Sequence, residues 1–181
     1  QNEYLEMAYN ASHRLNRLLS DILDLSRVES GKMELKEEEI IPSNVKQSIE
    51  GMFRHICQEN NNALQIGLDD NVPAKLIGDN TRLTQILFNL VGNALKYTRN
   101  GEVSLHISCL PGTSPEMCRL MFVVEDNGQG IPEDKLDQVF ETFTQASDFD
   151  SPYTRQYEGA GLGLPLVNRL LQLLGGNACI V

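Results

Sequence analysis

Over the first thirty residues, apolar positions recur at alternating steps of three and four. Ala8, Ala11, Leu15, Leu18, Ile22 and Leu25 form a heptad seam that Leu19 and Leu23 widen. Arg14, Asn16, Arg17, Asp21, Asp24 and Arg27 take the opposite face. This pattern predicts one long amphipathic helix over 3–32, with Gly31 as its stop. A helix gains most of its stability from packing, and no segment downstream complements this stripe, so the pattern predicts a partner elsewhere.

The rest of the chain mixes shorter periods. Glu34–Glu38 is expected to start a strand, and Pro42 and Ser43 to open a helix carrying Val45, Ile49, Phe53 and Ile56 on one face. Ala63–Leu68 reads as a strand and residues 69–73 as a loop. Asp79 or Asn80 caps a helix running to about Thr98, whose apolar side is Leu83, Ile86, Leu87, Leu90 and Leu95. Glu102–Ser108 and Arg119–Glu125 read as paired strands joined through Pro111-Gly-Thr-Ser-Pro115. Residues 144–158 have no period and are expected to form a mobile loop. Leu162–Leu174 is a final amphipathic helix ending at Gly175-Gly176, and Asn177–Val181 is expected to start a strand. Helices and strands without regular alternation point to an α+β fold, a two-layer α/β sandwich preceded by the long helix.

Composition narrows the function classes. With 181 residues, 41% of them hydrophobic, the chain can build one packed domain plus an appendage. There is no apolar run of ~18 residues, so no membrane contact is expected of this chain, although a longer parent is compatible with a membrane anchor. An opening Gln is expected of an excised piece. A net charge of −10 argues against a nucleic-acid partner, which needs a basic footprint. Cys57, Cys109, Cys118 and Cys179 form no Cys-x-x-Cys pair. They are expected to be reduced, mostly buried thiols of a cytoplasmic protein. Cys109 and Cys118 flank the Pro/Gly/Ser loop and are placed to face each other across a hairpin, with a structural disulfide the less favoured reading.

Three segments carry candidate chemistry. On the helix near 79–98, Asn89, Asn93, Lys96 and Tyr97 are spaced i, i+4, i+7, i+8 and share one face. Mg²⁺ prefers oxygen ligands and keeps several waters, so one amide oxygen plus phosphate oxygens suits it. Asn93 is the candidate metal ligand, Lys96 a phosphate contact and Asn89 its support; the residues alone equally allow both amides to brace the helix. Asp126-Asn-Gly128-Gln-Gly130-Ile131 follows an apolar strand. A carboxylate there can accept from an adenine amine, and glycines let backbone approach a flat ring, yet Asp-Asn-Gly is also an ordinary turn. Gly159-Ala-Gly161-Leu162-Gly163 precedes a helix and offers backbone N–H groups to phosphates. No Gly-x-x-x-x-Gly-Lys-[Ser/Thr] is present, which excludes a P-loop.

Taken in order, these segments resemble the nucleotide-binding motifs of two-component sensor histidine kinases. Asp79-x-x-Arg82-Leu-x-Gln85 through Asn89-Leu-x-x-Asn93-Ala-x-Lys96-Tyr97-Thr98 is similar to their N box. Asp126-x-Gly128-x-Gly130-Ile131-Pro132 resembles the G1 box, Phe140-Glu-Thr-Phe143-Thr-Gln145 the F box, and Gly159-Ala-Gly161-Leu162-Gly163-Leu164 the G2 box. Thr154-Arg155 resembles the lid ending of hybrid-type kinases, which carry receiver domains downstream. The resemblance implies a gyrase/histidine-kinase-type ATP-binding fold with ATP and Mg²⁺ as cofactors. It implies that Asn93 binds Mg²⁺, that Asp126 reads adenine, and that Gly159, Gly161 and Gly163 hold the triphosphate. Asp21-Ile-Leu-Asp-Leu-Ser-Arg27-Val-Glu-Ser-Gly31-Lys resembles the second helix of the dimerisation and phosphotransfer domain, which implies a homodimer through helix 3–32 and a response regulator or receiver domain as partner. The implied domains are 1–36, part of that dimerisation domain, and 37–181, the catalytic ATP-binding domain without its last hairpin.

One departure accompanies the resemblance. The phosphoacceptor motif His-Glu/Asp-x-x-[Thr/Asn]-Pro is absent, and His13, His55 and His106 lack its neighbours. The expected activity is therefore transfer of the ATP γ-phosphoryl group to a histidine outside these residues. Arg155 is expected either to offset charge at the γ-phosphate when a lid closes or to be an ordinary loop arginine. Phe140 and Phe143 are expected to anchor the base of that lid. Other readings are an ATP-hydrolysing relative of the gyrase or MutL type, and a non-catalytic dimerisation module.

Overall fold

The computed structural model describes residues 2–111, 117–136, 138–141 and 161–180. Arg155, Gly159, Phe143, Thr154-Arg155 and the loop 144–158 lie outside the described residues. Two compact units make up the chain: Leu35–Pro132, and Gln1–Glu34 together with Glu133–Val181.

The Leu35–Pro132 unit is a two-layer α/β arrangement. Its elements are β1 (Glu38–Ile40), α1 (Pro42–Glu59), β2 (Ala63–Leu68), β3 (Leu76–Gly78), α2 (Asn80–Tyr97), β4 (Glu102–Leu110) and β5 (Arg119–Asp126). The main sheet has the order β2-β4-β5; β2 runs parallel to β4, with Ile66 opposite Leu105, and β4 runs antiparallel to β5. A parallel neighbour needs a crossover, and α2 supplies it between β2 and β4. β1 and β3 form a separate antiparallel pair with Ile40 opposite Leu76. The helices α1 and α2 cover the main sheet, and Ile49, Phe53, Leu87, Leu95, Val103, Leu105 and Ile107 are almost fully excluded from solvent. Phe53 stacks on Phe88, with ring centroids 5.1 Å apart.

Local signals explain the boundaries. Pro42 occupies the first turn of α1, where its missing N–H costs nothing. At the far end of α1, Asn61 adopts φ 52° while its N–H donates to the Gln58 carbonyl (3.4 Å) and the Asn62 N–H to that of Cys57 (2.9 Å). This paired closure is a Schellman motif with Asn in the left-handed position. Asp79 caps α2, its Oδ1 accepting from the Arg82 N–H at 2.9 Å and its Oδ2 from the Lys36 N–H at 3.0 Å.

The other unit is built on α3 (Asn2–Glu29) and α4 (Gly163–Leu173), which pack on each other, with a short 3₁₀ turn at Glu133–Lys135. Leu25, Met33, Leu162, Leu166, Val167 and Leu170 are buried. Arg169 reaches Glu29 at 4.0 Å between partly exposed groups, a contact worth little. The first helix closes through Gly31 at φ 64°, where the Gly31 N–H donates to Val28 and the Lys32 N–H to Arg27. The last closes through Gly175 at φ 74° in the same way, onto Gln172 and Leu171. Both are Schellman motifs, and glycine takes that conformation without a Cβ penalty.

Several expectations need correction. The first strand is Glu38–Ile40 rather than starting at Glu34. Residues 177–180 form no strand, since no neighbour among the described residues pairs with them. Ile56 is 37% exposed and stands outside the core, near the C-terminal end of α1. The cysteines are not mostly buried: Cys57, Cys109 and Cys118 are half-buried and Cys179 is exposed. β3 and the parallel pairing of β2 with β4 were not foreseen, because three residues carry too little periodicity and pairing partners leave no local mark. Among the described residues no helix is long and apolar enough to cross a membrane.

Candidate nucleotide site

The C-terminal end of α2 and the turn after β5 come together within the Leu35–Pro132 unit. A Cβ added to Gly128 would collide with the backbone carbonyl of Tyr97, and would lie 2.9 Å from both Asp126 Oδ1 and Thr98 Oγ1. Gly128 is therefore required by close approach of backbone to backbone. The two candidate motifs, whose contacting residues Tyr97 and Gly128 lie 31 positions apart, share one piece of surface through this contact.

Each part is held in place by hydrogen bonds. The Gly128 N–H donates to Asp126 Oδ1 at 2.9 Å, which orients the exposed carboxylate and leaves it capacity to accept further donors. Asn127 is tied back to β4: its Oδ1 accepts from the Glu102 N–H at 2.8 Å, and its own N–H donates to the Glu102 carbonyl at 3.2 Å. Asn62 clamps the end of α2. Its Nδ2 donates to the Thr98 carbonyl at 2.8 Å and the Leu95 carbonyl at 3.3 Å, and its Oδ1 accepts from the Gly101 N–H at 3.1 Å.

Along α2 the polar residues divide. Asn89 is buried and its Nδ2 donates to the Gln85 carbonyl at 3.1 Å, one turn back. Arg82 reaches Gln85 Oε1 at 2.8 Å, so Arg82, Gln85 and Asn89 form a braced line. Asn93, one turn on, is half-buried. Lys96 Nζ lies 3.1 Å from the Tyr97 hydroxyl and 4.7 Å from the centre of its ring, which keeps the ammonium beside the end of the helix. Thr98 is 1% exposed, and its Oγ1 has no hydrogen-bond partner among the described residues. A buried hydroxyl in that state costs about 1–3 kcal/mol, so it marks a place where one more polar group would be satisfied.

Gly130 adopts φ 70° with open space around it, and Ile131 beside it is 41% exposed. In the other unit, Gly161 has φ 66°, Leu162 is buried, and Gly163 begins α4 with no side-chain cap on the helix. Leu162, at the N-cap, thus offers no side-chain acceptor to the first N–H groups of α4. A cleft of about 620 Å³ lies elsewhere, between α1 and β2, lined by Glu50, Arg54, Cys57 and Asn61 among others. None of the residues singled out for nucleotide chemistry lines it.

The Leu35–Pro132 unit holds Asn89, Asn93, Lys96, Tyr97, Asp126, Gly128, Gly130 and Ile131, while Gly161, Leu162 and Gly163 belong to the other unit. The sequence alone did not show the contacts of Asn62, Asn127 and Thr98. The run Asn60-Asn61-Asn62 before a strand was a usable sign of a left-handed turn, but nothing local says that Asn62 reaches the end of another helix.

A model of the histidine kinase-, DNA gyrase B- and HSP90-like ATPases matches residues 78–180, more than half of the chain. The chain belongs to this ATPase family. Its relatives are sensor histidine kinases. It is 35% identical over 176 residues to the autoinducer 2 sensor kinase/phosphatase LuxQ of Vibrio vulnificus, covering 97% of this chain and 20% of LuxQ. It is 38% identical over 174 residues to hybrid signal transduction histidine kinase L of Dictyostelium discoideum, covering 96% of this chain and 10% of that protein. The crystal structure of full-length ShkA in complex with AMPPNP superposes with a TM-score of 0.79 at 28% identity, over 97% of this chain and 34% of that one. The chain thus spans about a fifth or less of the length of these two curated relatives. Its α+β fold is that of histidine-kinase ATP-binding domains.

Proposed function

We propose that this chain is the ATP-binding catalytic portion of a hybrid-type sensor histidine kinase, delivering the γ-phosphoryl group of ATP to a histidine outside residues 1–181. The observation that carries the reading is the Gly128 contact with Tyr97 and Thr98, which sets the Asp126 carboxylate beside the polar end of α2. Asp126, oriented by the Gly128 N–H, accepts from the exocyclic amine of adenine. The unpartnered Thr98 hydroxyl supplies a further polar contact, directly or through water, and exposed Ile131 offers an apolar surface to the base. Asn89 braces the helix rather than touching ligand, and Tyr97 holds Lys96 for a phosphate oxygen.

The donor set suits Mg²⁺. Among the described residues no three His, Cys, Asp or Glu side chains converge. A magnesium ion needs few protein ligands when phosphates and water complete its shell, and the half-buried Asn93 offers one amide oxygen. Mg²⁺ bound there would neutralise phosphate charge. Gly161 and Gly163, with Gly159 and Leu162 from the same motif, are assigned to phosphate binding through backbone N–H groups. Arg155 is assigned to the γ-phosphate. Catalysis then rests on positioning and electrostatics, since no nucleophile comes from this chain. Helix Asn2–Glu29 is assigned to a homodimer interface, and a receiver domain is the proposed phosphoryl acceptor downstream.

Calorimetric titration with a non-hydrolysable ATP analogue, with and without Mg²⁺, tests this. Asp126→Ala is expected to weaken binding at least tenfold, about 1.4 kcal/mol, and Asn93→Ala to remove most of the Mg²⁺ dependence. A folded wild-type chain that binds no analogue, or an Asp126→Ala variant that binds as tightly as wild type, would overturn the assignment.

A further inference from the structure

The β4–β5 hairpin has Asp126 at one end and two cysteines at the other. Cys109 pairs with Leu120, and Cys118 stands two residues before Leu120, so the two thiols lie diagonally on one face of the hairpin. Their sulfur atoms are 2.7 Å apart. A disulfide is ~2.05 Å long, so only a small movement separates these thiols from a bond. The backbone on the Cys109 side is fixed: the Asn71 amide donates to the Cys109 carbonyl at 3.1 Å and accepts from its N–H at 3.3 Å. Both thiols are half-buried, which admits a small reagent.

We propose that Cys109 and Cys118 form a two-electron thiol–disulfide site, oxidised by a small disulfide of the glutathione class, that clips the turn end of the hairpin. The Cys109 thiolate attacks one sulfur of glutathione disulfide, breaking its S–S bond and releasing one glutathione thiolate. Cys118 then attacks Cys109 Sγ in the mixed disulfide, forming the Cys109–Cys118 bond and expelling the second glutathione. Both protein protons end on the two glutathione thiols, and the protein loses the two electrons that the oxidant gains. Burial, then the hydrogen bond and the charge of Cys109, push the Cys118 thiol up to about 11. The thiolate is the attacking species in both steps, so closure accelerates as pH rises. The site owes nothing to the nucleotide assignment.

The test uses the intact chain, equilibrated over a series of glutathione to glutathione disulfide ratios, quenched by alkylation and mapped by mass spectrometry. Cys109 and Cys118 are expected to lose alkylation together and to appear as one intramolecular link. The melting temperature is expected to rise by roughly 5–10 °C, because the closed loop restricts the unfolded chain. Cys109→Ser should abolish both effects, whereas Cys57→Ser combined with Cys179→Ser should keep both. Full alkylation of both cysteines at every ratio overturns the proposal, as do stable separate glutathione adducts or links through Cys179 to a second chain. A link formed with no change in melting temperature overturns the clip. The wild-type mapping decides the bond even if a variant fails to fold.

Discussion

Asn62 shows how much one side chain can hold in this fold. It sits at the end of α1, yet its amide serves two carbonyls at the end of α2 and an N–H at the start of the next turn. The turn it fixes carries Thr98, against which Gly128 packs. Asn62→Ala leaves these buried groups without partners, and is expected to cost about 1–3 kcal/mol in denaturant unfolding. Asn62→Asp keeps the acceptor for Gly101 but turns a buried carboxylate oxygen onto the Leu95 and Thr98 carbonyls, so it should cost at least as much as the alanine. A variant as stable as wild type would mean that water replaces the amide fully. Gly128 needed its structural context in the same way. In the sequence it was one glycine of a turn, and only the approach of Tyr97 shows why no side chain fits.

At the scale of elements, α2 organises the site. It is the crossover between the parallel strands β2 and β4, so its end is delivered to the same edge as the start of β4 and the end of β5. Its apolar residues Ile86, Leu87, Val91 and Leu95 set its rotation, which decides that Asn89 is turned inward and Asn93 stands half-exposed. Asp79 fixes its start. Asp79→Ala removes the cap on Arg82 and the acceptor for Lys36, and is expected to cost about 0.5–2 kcal/mol, read as a lower unfolding midpoint. Asp79→Asn should restore most of it. The expected helix over 79–98 agrees closely with the observed one because capping residue and period point the same way. Residues 177–180 form no strand because a strand exists only where a neighbour completes its hydrogen bonds.

At the scale of the whole molecule, the exposed stripe on helix Asn2–Glu29 stands out. Leu15, Leu19, Ile22 and Leu23 remain exposed, with Leu15 at 67%, while Leu25 is buried. An apolar stripe left in water is the mark of an interface. Leu15→Lys combined with Ile22→Lys is expected to shift a dimer to monomer in sedimentation, with nucleotide affinity within about twofold because no assigned ligand contact lies on that helix. Association unchanged by both charges would remove this helix as the interface. The two relatives are about five and ten times as long as the stretch each shares with this chain.

The amino-acid sequence by itself determined the elements whose signals are local: the heptad seam, the capped helix after Asp79, the paired strands after Gly101, and the order of motifs that identifies the ATPase family. Periodicity and capping act within a turn or two of chain, so they can be read there. Tertiary structure alone decided what depends on distant pairing. The parallel register of β2 and β4, the reach of Asn62 and the buried Thr98 hydroxyl all depend on residues that local forces do not bring together. Long-range contacts are chosen by the burial of a common core, and that choice is made by the whole chain at once.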